Sequence, residues 1–101
     1  MPGMVEHLVI FKAKAGKDAE LDTTLRDFAG EIKKELPGIV ELNVGANYTQ
    51  RSRDHGWTHG LYARFQDKSV GDAYGPHPVH RALVAKLGDL TDGVEAVDFE
   101  F

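Results

Sequence analysis

Four stretches of the chain alternate apolar and polar residues with a period of two, and two others carry apolar residues three and four apart. Val5 to Lys14 reads as a first strand, with His7, Val9, Phe11 and Ala13 on one side and Glu6, Leu8, Ile10 and Lys12 on the other. After the turn Ala15-Gly16-Lys17-Asp18, in which Asp18 is placed to cap, Leu21, Leu25, Phe28, Ile32 and Leu36 form one helical stripe. Pro37-Gly38 stops that helix. Ile39 to Tyr48 alternates as a second strand, and Thr49 to Gly56 is a polar, mobile connection with Arg51 and Arg53 in a solvated loop. Thr58 to Phe65 is the third strand, placing His59, Leu61, Ala63 and Phe65 on one face.

Ser69 and Asp72 have the spacing of a capping pair at the start of the second helix. Gly75-Pro76-His77-Pro78 interrupts that helix. It restarts with Pro78 as a first helical residue, His77 as its cap, and Val79, Leu83, Leu87 and Leu90 as a new apolar stripe. Asp92-Gly93 ends it, and Val94 to Phe101 is the last strand.

The order β-α-β-β-α-β predicts an α+β fold of the ferredoxin-like, split-βαβ type, a single domain over residues 1–101. The expected sheet has the first and third strands as central, parallel neighbours and both helices on one face. The first strand is apolar on both sides, so the face without helices needs a cover. A second copy of the chain supplies one, which predicts a homodimer.

Composition narrows the function. A net charge of −4 is opposite in sign to what a nucleic-acid face needs. No apolar run approaches the ~18 residues that cross a bilayer. Met1-Pro2-Gly3-Met4 has neither the charge nor the apolar stretch of a signal peptide. With no cysteine there is no thiolate chemistry and no disulfide, and the expected location is the cytoplasm.

The chemistry concentrates in Tyr74-Gly75-Pro76-His77-Pro78-Val79-His80. A helix broken by two prolines is locally costly and shapes a pocket. If the central strands are parallel and in register, His7 and His59 are neighbours, and the returning second helix brings His80 to the same end. His80 is the candidate base and Tyr74 the candidate donor to an oxyanion. His7 and His59, with Phe11, Leu25, Phe28 and Leu83, are the candidate substrate-binding residues. His77-x-x-His80 and His55-x-x-x-His59 have ligand-like spacing, but neither has an adjacent carboxylate, and no metal is expected. There is no phosphate loop or dinucleotide fingerprint, so no cofactor is expected.

His7-Leu8-Val9-Ile10-Phe11-Lys12, Leu36-Pro37-Gly38-Ile39, the Tyr74 to His80 segment and Val97-Asp98-Phe99 together resemble the stress-responsive A/B barrel (Dabb) family over nearly the whole chain. The resemblance implies ferredoxin-like dimers whose sheets pair into a barrel. Gly56-Trp57-Thr58-His59 and Asp72-Ala73-Tyr74 through His80 are similar to the family's plant polyketide cyclases. That likeness implies His80 as base and Tyr74 as support in an aldol ring closure, acting on a small hydrophobic carbonyl or polyketide-like compound. Gly75 and Pro76 depart from it by replacing bulkier residues. Two other readings stand beside it: a non-catalytic stress-response or stabilising protein, and a cofactor-independent oxygenase drawing on Trp57 and Tyr62.

Overall fold

The computed structural model describes residues 3–101; Met1 and Pro2, the first half of the segment compared with a signal peptide, lie outside them. The elements are β1 (Val5–Ala13), α1 (Asp18–Glu35), β2 (Ile39–Ala46), α2 (Gln50–Arg53), β3 (His59–Phe65), α3 (Lys68–Tyr74), α4 (Pro78–Leu90) and β4 (Thr91–Glu100). The strands form one sheet in the order β2-β3-β1-β4. This is the expected α+β, ferredoxin-like sandwich, with the core between the sheet and the layer of α1 and α4.

One expectation about the sheet is overturned. β1 and β3 are central neighbours but run antiparallel, with His7 opposite Ala63 and His59 opposite Phe11. Between them the chain returns along α1, runs forward along β2 and turns back into β3, and these three reversals leave β3 opposed to β1. His7 and His59 therefore sit four ladder positions apart, roughly 13 Å at ~3.3 Å per residue, at opposite ends of the sheet.

The helical stripe of α1 is buried as its spacing requires: Leu21, Leu25, Phe28, Ala29 and Ile32 all face the core. Asp18 is not the cap. Lys17 holds that position without a side-chain bond, and Asp18 lies in the first helical turn, where its charge suits the positive end of the helix. At the other end Gly38 has a φ of +97°, and a Cβ there would overlap Val70 Cγ2. Glycine is required at this turn twice over, by conformation and by space.

The connection after β2 is more ordered than its composition suggests. Arg53 Nη1 donates to the Asn47 carbonyl at 2.7 Å, and Asn47 Nδ2 donates to Ser52 Oγ at 2.7 Å and the Trp57 carbonyl at 2.9 Å. These bonds close residues 50–53 into a helical turn in place of a mobile loop. The cap of α3 is Asp67, which accepts from Ser69 N and Val70 N; the Ser69–Asp72 spacing that pointed to a capping pair has no such role.

The break expected at Gly75 to Pro78 separates α3 from α4. His77 caps α4 through Nδ1, which accepts from Val79 N at 3.1 Å, with Pro78 in the first turn. Asp92-Gly93 does not terminate α4. The helix ends at Leu90, Thr91 Oγ1 donates to the Leu87 carbonyl at 2.6 Å, and Asp92 and Gly93 belong to β4 beside an irregularity at Lys12/Ala13.

The two sheet faces differ as the alternation requires. Toward the helices, His59, Leu61, Ala63 and Phe65 of β3 are all buried. On the other face, Leu8 and Ile10 remain 40% and 42% exposed beside Val97 and Phe99. In β4 the apolar stripe thus lies on the open face, and Asp98, paired with His7, lies on the face of the helices.

Candidate active site

A cleft of about 610 Å³ opens between the α3–α4 break and the β1–β4 edge, lined by His7, Phe65, Lys68, Tyr74, His80 and Asp98 among others. The broken helix places its chemistry. Tyr74 is the last residue of α3 and His80 lies in the first turn of α4, on either side of the two-proline break. Their ring centroids are 4.7 Å apart. β1 brings His7 against Tyr74 as well, at 5.2 Å between centroids. Tyr74 therefore packs against two imidazoles.

Each imidazole is fixed through Nδ1. His80 Nδ1 lies 3.0 Å from the Gly75 carbonyl. A carbonyl oxygen only accepts, so Nδ1 carries the proton and Nε2 is the basic nitrogen. Burial lowers the pKa of His80 below its ordinary 6.5, and His7 lowers it further; the Gly75 carbonyl opposes both without reversing them. His80 is thus neutral at physiological pH. His7 Nδ1 donates to Asp98 Oδ1 directly across the β1–β4 ladder.

Tyr74 is only 4% exposed. Burial, and then the charge of Asp98, push its phenol well above the ordinary 10. The hydroxyl keeps its proton at any physiological pH and is available as a donor. Phe28 packs edge-on against both Tyr74 and His80, at 6.0 and 5.9 Å between centroids, and backs the site from α1.

Other candidate residues lie elsewhere. His59 is buried at the far end of the sheet, its Nε2 3.5 Å from Asp22 Oδ1 on α1 and its Nδ1 2.9 Å from Thr58 Oγ1. There it ties α1 to the sheet, away from the cleft. Phe11 and Leu25 are core residues that do not line the cleft. Leu83 lines, with Phe28, a smaller groove of about 330 Å³ between α1 and α4. Among the described residues no cluster of histidine, aspartate and glutamate has the arrangement of a metal site.

Sequence alone assigns Asp98 no role. Its signal was present in the pattern, because β4 alternates, but only the β1–β4 register shows that Asp98 faces His7.

A ferredoxin-like sheet with a tyrosine–histidine cleft at one edge of its helical layer defines the class. Residues 5–101 match the model of the stress responsive A/B barrel domain, and the chain belongs to that family. It is 28% identical over 98% of its length to a stress-response A/B barrel domain-containing protein of Arabidopsis thaliana, of which it spans about half, 48%. A dimeric ferredoxin-like protein of unknown function from Jannaschia sp. CCS1 superposes with a TM-score of 0.85 at 27% identity, covering 98% of this chain and all of that one. A hydroxynitrile lyase from Passiflora edulis shares the fold at 14% identity, with a TM-score of 0.82 over 100% of this chain and 95% of that one. No helix of the described residues is long and apolar enough to cross a membrane.

Proposed function

We propose that residues 1–101 form one domain that acts in the cytoplasm as a pair of identical subunits, each binding a small, largely apolar carbonyl compound beside Tyr74 and moving a proton on it. The observation that carries this reading is the fixed tautomer of His80: its Nδ1 proton is committed to the Gly75 carbonyl, leaving Nε2 basic beside a hydroxyl that stays protonated.

In the proposed reaction His80 Nε2 takes the proton from the carbon next to a carbonyl. The electron pair moves onto the carbonyl oxygen, which accepts a hydrogen bond from Tyr74 Oη. Where the compound carries a second carbonyl within reach, the enolate carbon bonds to it. The imidazolium then returns its proton to the new alkoxide, so the ring closes with no cofactor consumed. His7, held by Asp98, packs against Tyr74 and keeps it in place.

Pairing is supported by the open sheet face. Leu8, Ile10, Val97 and Phe99 are exposed together there. An apolar patch of this kind is worth several kcal/mol when covered, at about 25 cal/mol per Å².

A non-catalytic reading has its own support: the bonds of His80 to Gly75 and of His7 to Asp98 also hold the helix break and the edge strand. The test is deuterium exchange at the carbon next to the carbonyl in a panel of aryl ketones, followed by NMR in D2O. His80→Gln should slow catalysed exchange by about 10²-fold or more, and Tyr74→Phe by a similar factor, with melting temperatures within a few degrees of the parent. Variants that unfold, or exchange no faster with protein than without, would establish the non-catalytic reading instead.

A further inference from the structure

Gly71 stands at the centre of α3 and lines the cleft. Glycine inside a helix is unfavourable relative to alanine, because its backbone has more freedom to lose. Neither usual reason for tolerating that cost applies here. The φ at Gly71 is not positive, unlike those of Gly16, Gly38 and Gly56. Nor does the subunit crowd the position: a Cβ there would make ordinary contacts with the Phe65 ring, at 3.4 and 3.7 Å. Gly75, one turn further along the cleft, is a different case. It precedes Pro76 in helical geometry, where a Cβ would crowd the proline ring. Gly71 alone has no explanation within the chain, which leaves close approach of a ligand to its backbone.

We infer that Gly71 makes room for the body of the ligand, a flat, uncharged, fused-ring group lying over the backbone of α3 and the Phe65 ring, with its carbonyl toward Tyr74 and His80. This ligand class rests on the cleft reading proposed above. Three further observations favour it. Val5 and Phe65 are partners in the β1–β3 ladder and give the cleft an apolar floor, with the Phe65 and Tyr74 centroids 5.0 Å apart. The cleft volume of about 610 Å³ lies within the roughly 300–1,000 Å³ of sites for drug-sized ligands, more than a single ring fills. Finally, Lys68 is the one lysine or arginine among the described lining residues, and Glu100 Oε1 engages it at 3.2 Å. The rim thus has no free lysine or arginine to hold a carboxylate or phosphate on the ligand.

Titration of isotope-labelled protein with acetonaphthone (two fused rings) and acetophenone (one ring), read by amide NMR, tests the assignment. The parent should bind acetonaphthone about tenfold or more tightly than acetophenone, with the Gly71 amide among the signals that move most. Gly71→Leu should weaken acetonaphthone binding about tenfold or more and acetophenone binding less. Gly71→Ala should weaken the preference by a smaller factor and raise the melting temperature, since alanine favours the helix. Ala73→Leu adds the same bulk to an exposed position of α3 outside the cleft and should keep the parent's preference. A Gly71→Leu variant with the parent's preference would overturn the assignment, and so would an Ala73→Leu variant that loses it equally. Should Gly71→Leu not fold, Gly71→Ala decides: an undiminished preference, or unfolding of this variant too, would overturn the assignment. Preferred binding of acetonaphthone without proton exchange would remove the catalytic reading and leave the fused-ring site. Exchange on acetophenone with no preference for acetonaphthone would do the reverse, and a parent that binds neither ketone would remove both.

Discussion

His7 on β1 and Asp98 on β4 stand directly opposite each other in the sheet, joined from Nδ1 to Oδ1 on the face covered by the helices. This cross-strand pair connects the edge strand to the aromatic cluster, since the other side of the His7 ring stacks on Phe65 and abuts Tyr74. Asp98→Asn should separate its two effects. Removing the charge relieves part of the upward pressure on the Tyr74 phenol, so its absorbance titration should move to lower pH while remaining above the ordinary value, because burial is the larger cause. Proton exchange on the ketone panel should fall about tenfold or more as His7 loses its orienting partner. Stability should change by about 1 kcal/mol at most, since the Asp98 side chain is 60% exposed.

His80 makes the pH dependence asymmetric. Its folded pKa lies below the ordinary 6.5, chiefly through burial. The folded chain therefore prefers the neutral ring more strongly than the unfolded chain does. The resulting stability is fully present above about 6.5 and is lost as pH falls through the depressed value. Melting temperatures measured between about pH 8 and about pH 5 should fall further for the parent than for His80→Gln. Exchange catalysis should hold its neutral-pH rate until below 6.5 and then decline as the base is protonated.

Phe28 serves the core and the site together. It is buried and packs edge-on against Tyr74 and His80. Phe28→Ala should cost about 3–5 kcal/mol in urea denaturation. Phe28→Leu should recover most of that stability but leave Tyr74 less constrained, which would appear as a greater loss of exchange rate than of stability.

Gly38→Ala should destabilise the chain by about 1–3 kcal/mol or more. The left-handed backbone and the overlap with Val70 act in the same direction. Combining Gly38→Ala with Val70→Ala should recover the steric part and leave the conformational part, a separation that thermal denaturation can read.

Local pattern was enough for the order of elements, the stripe of α1, the helix break and the cap at His77, because each depends on residues within a few positions of one another. Tyr74, His7 and His80 do come together, but the parallel β1–β3 register from which their grouping was expected does not hold. What failed was relative direction. Whether β1 and β3 run parallel or antiparallel leaves both hydrophobic patterns unchanged, yet it moves His59 from the cleft to the far end of the sheet. Asp98 escaped for a related reason: in sequence it is one polar position in an alternating strand, and its value comes from a partner 91 residues away. The cap of α3 shows a smaller version of the same difficulty, since Asp67 and Ser69 are both acceptable capping residues and only the backbone at Asp67 decides between them.

The passage from α4 into β4 has no loop: Leu90 ends the helix, Thr91 begins the strand, and the Thr91 hydroxyl clamps the last helical turn. His80 and Asp98 therefore belong to one stiff hairpin of helix and strand, in which the helix cannot swing outward without dragging the edge of the sheet. Under the proposed function, a bulky ligand would be accommodated on the opposite bank, where Val70 and Tyr74 are the buried residues of the seven in α3.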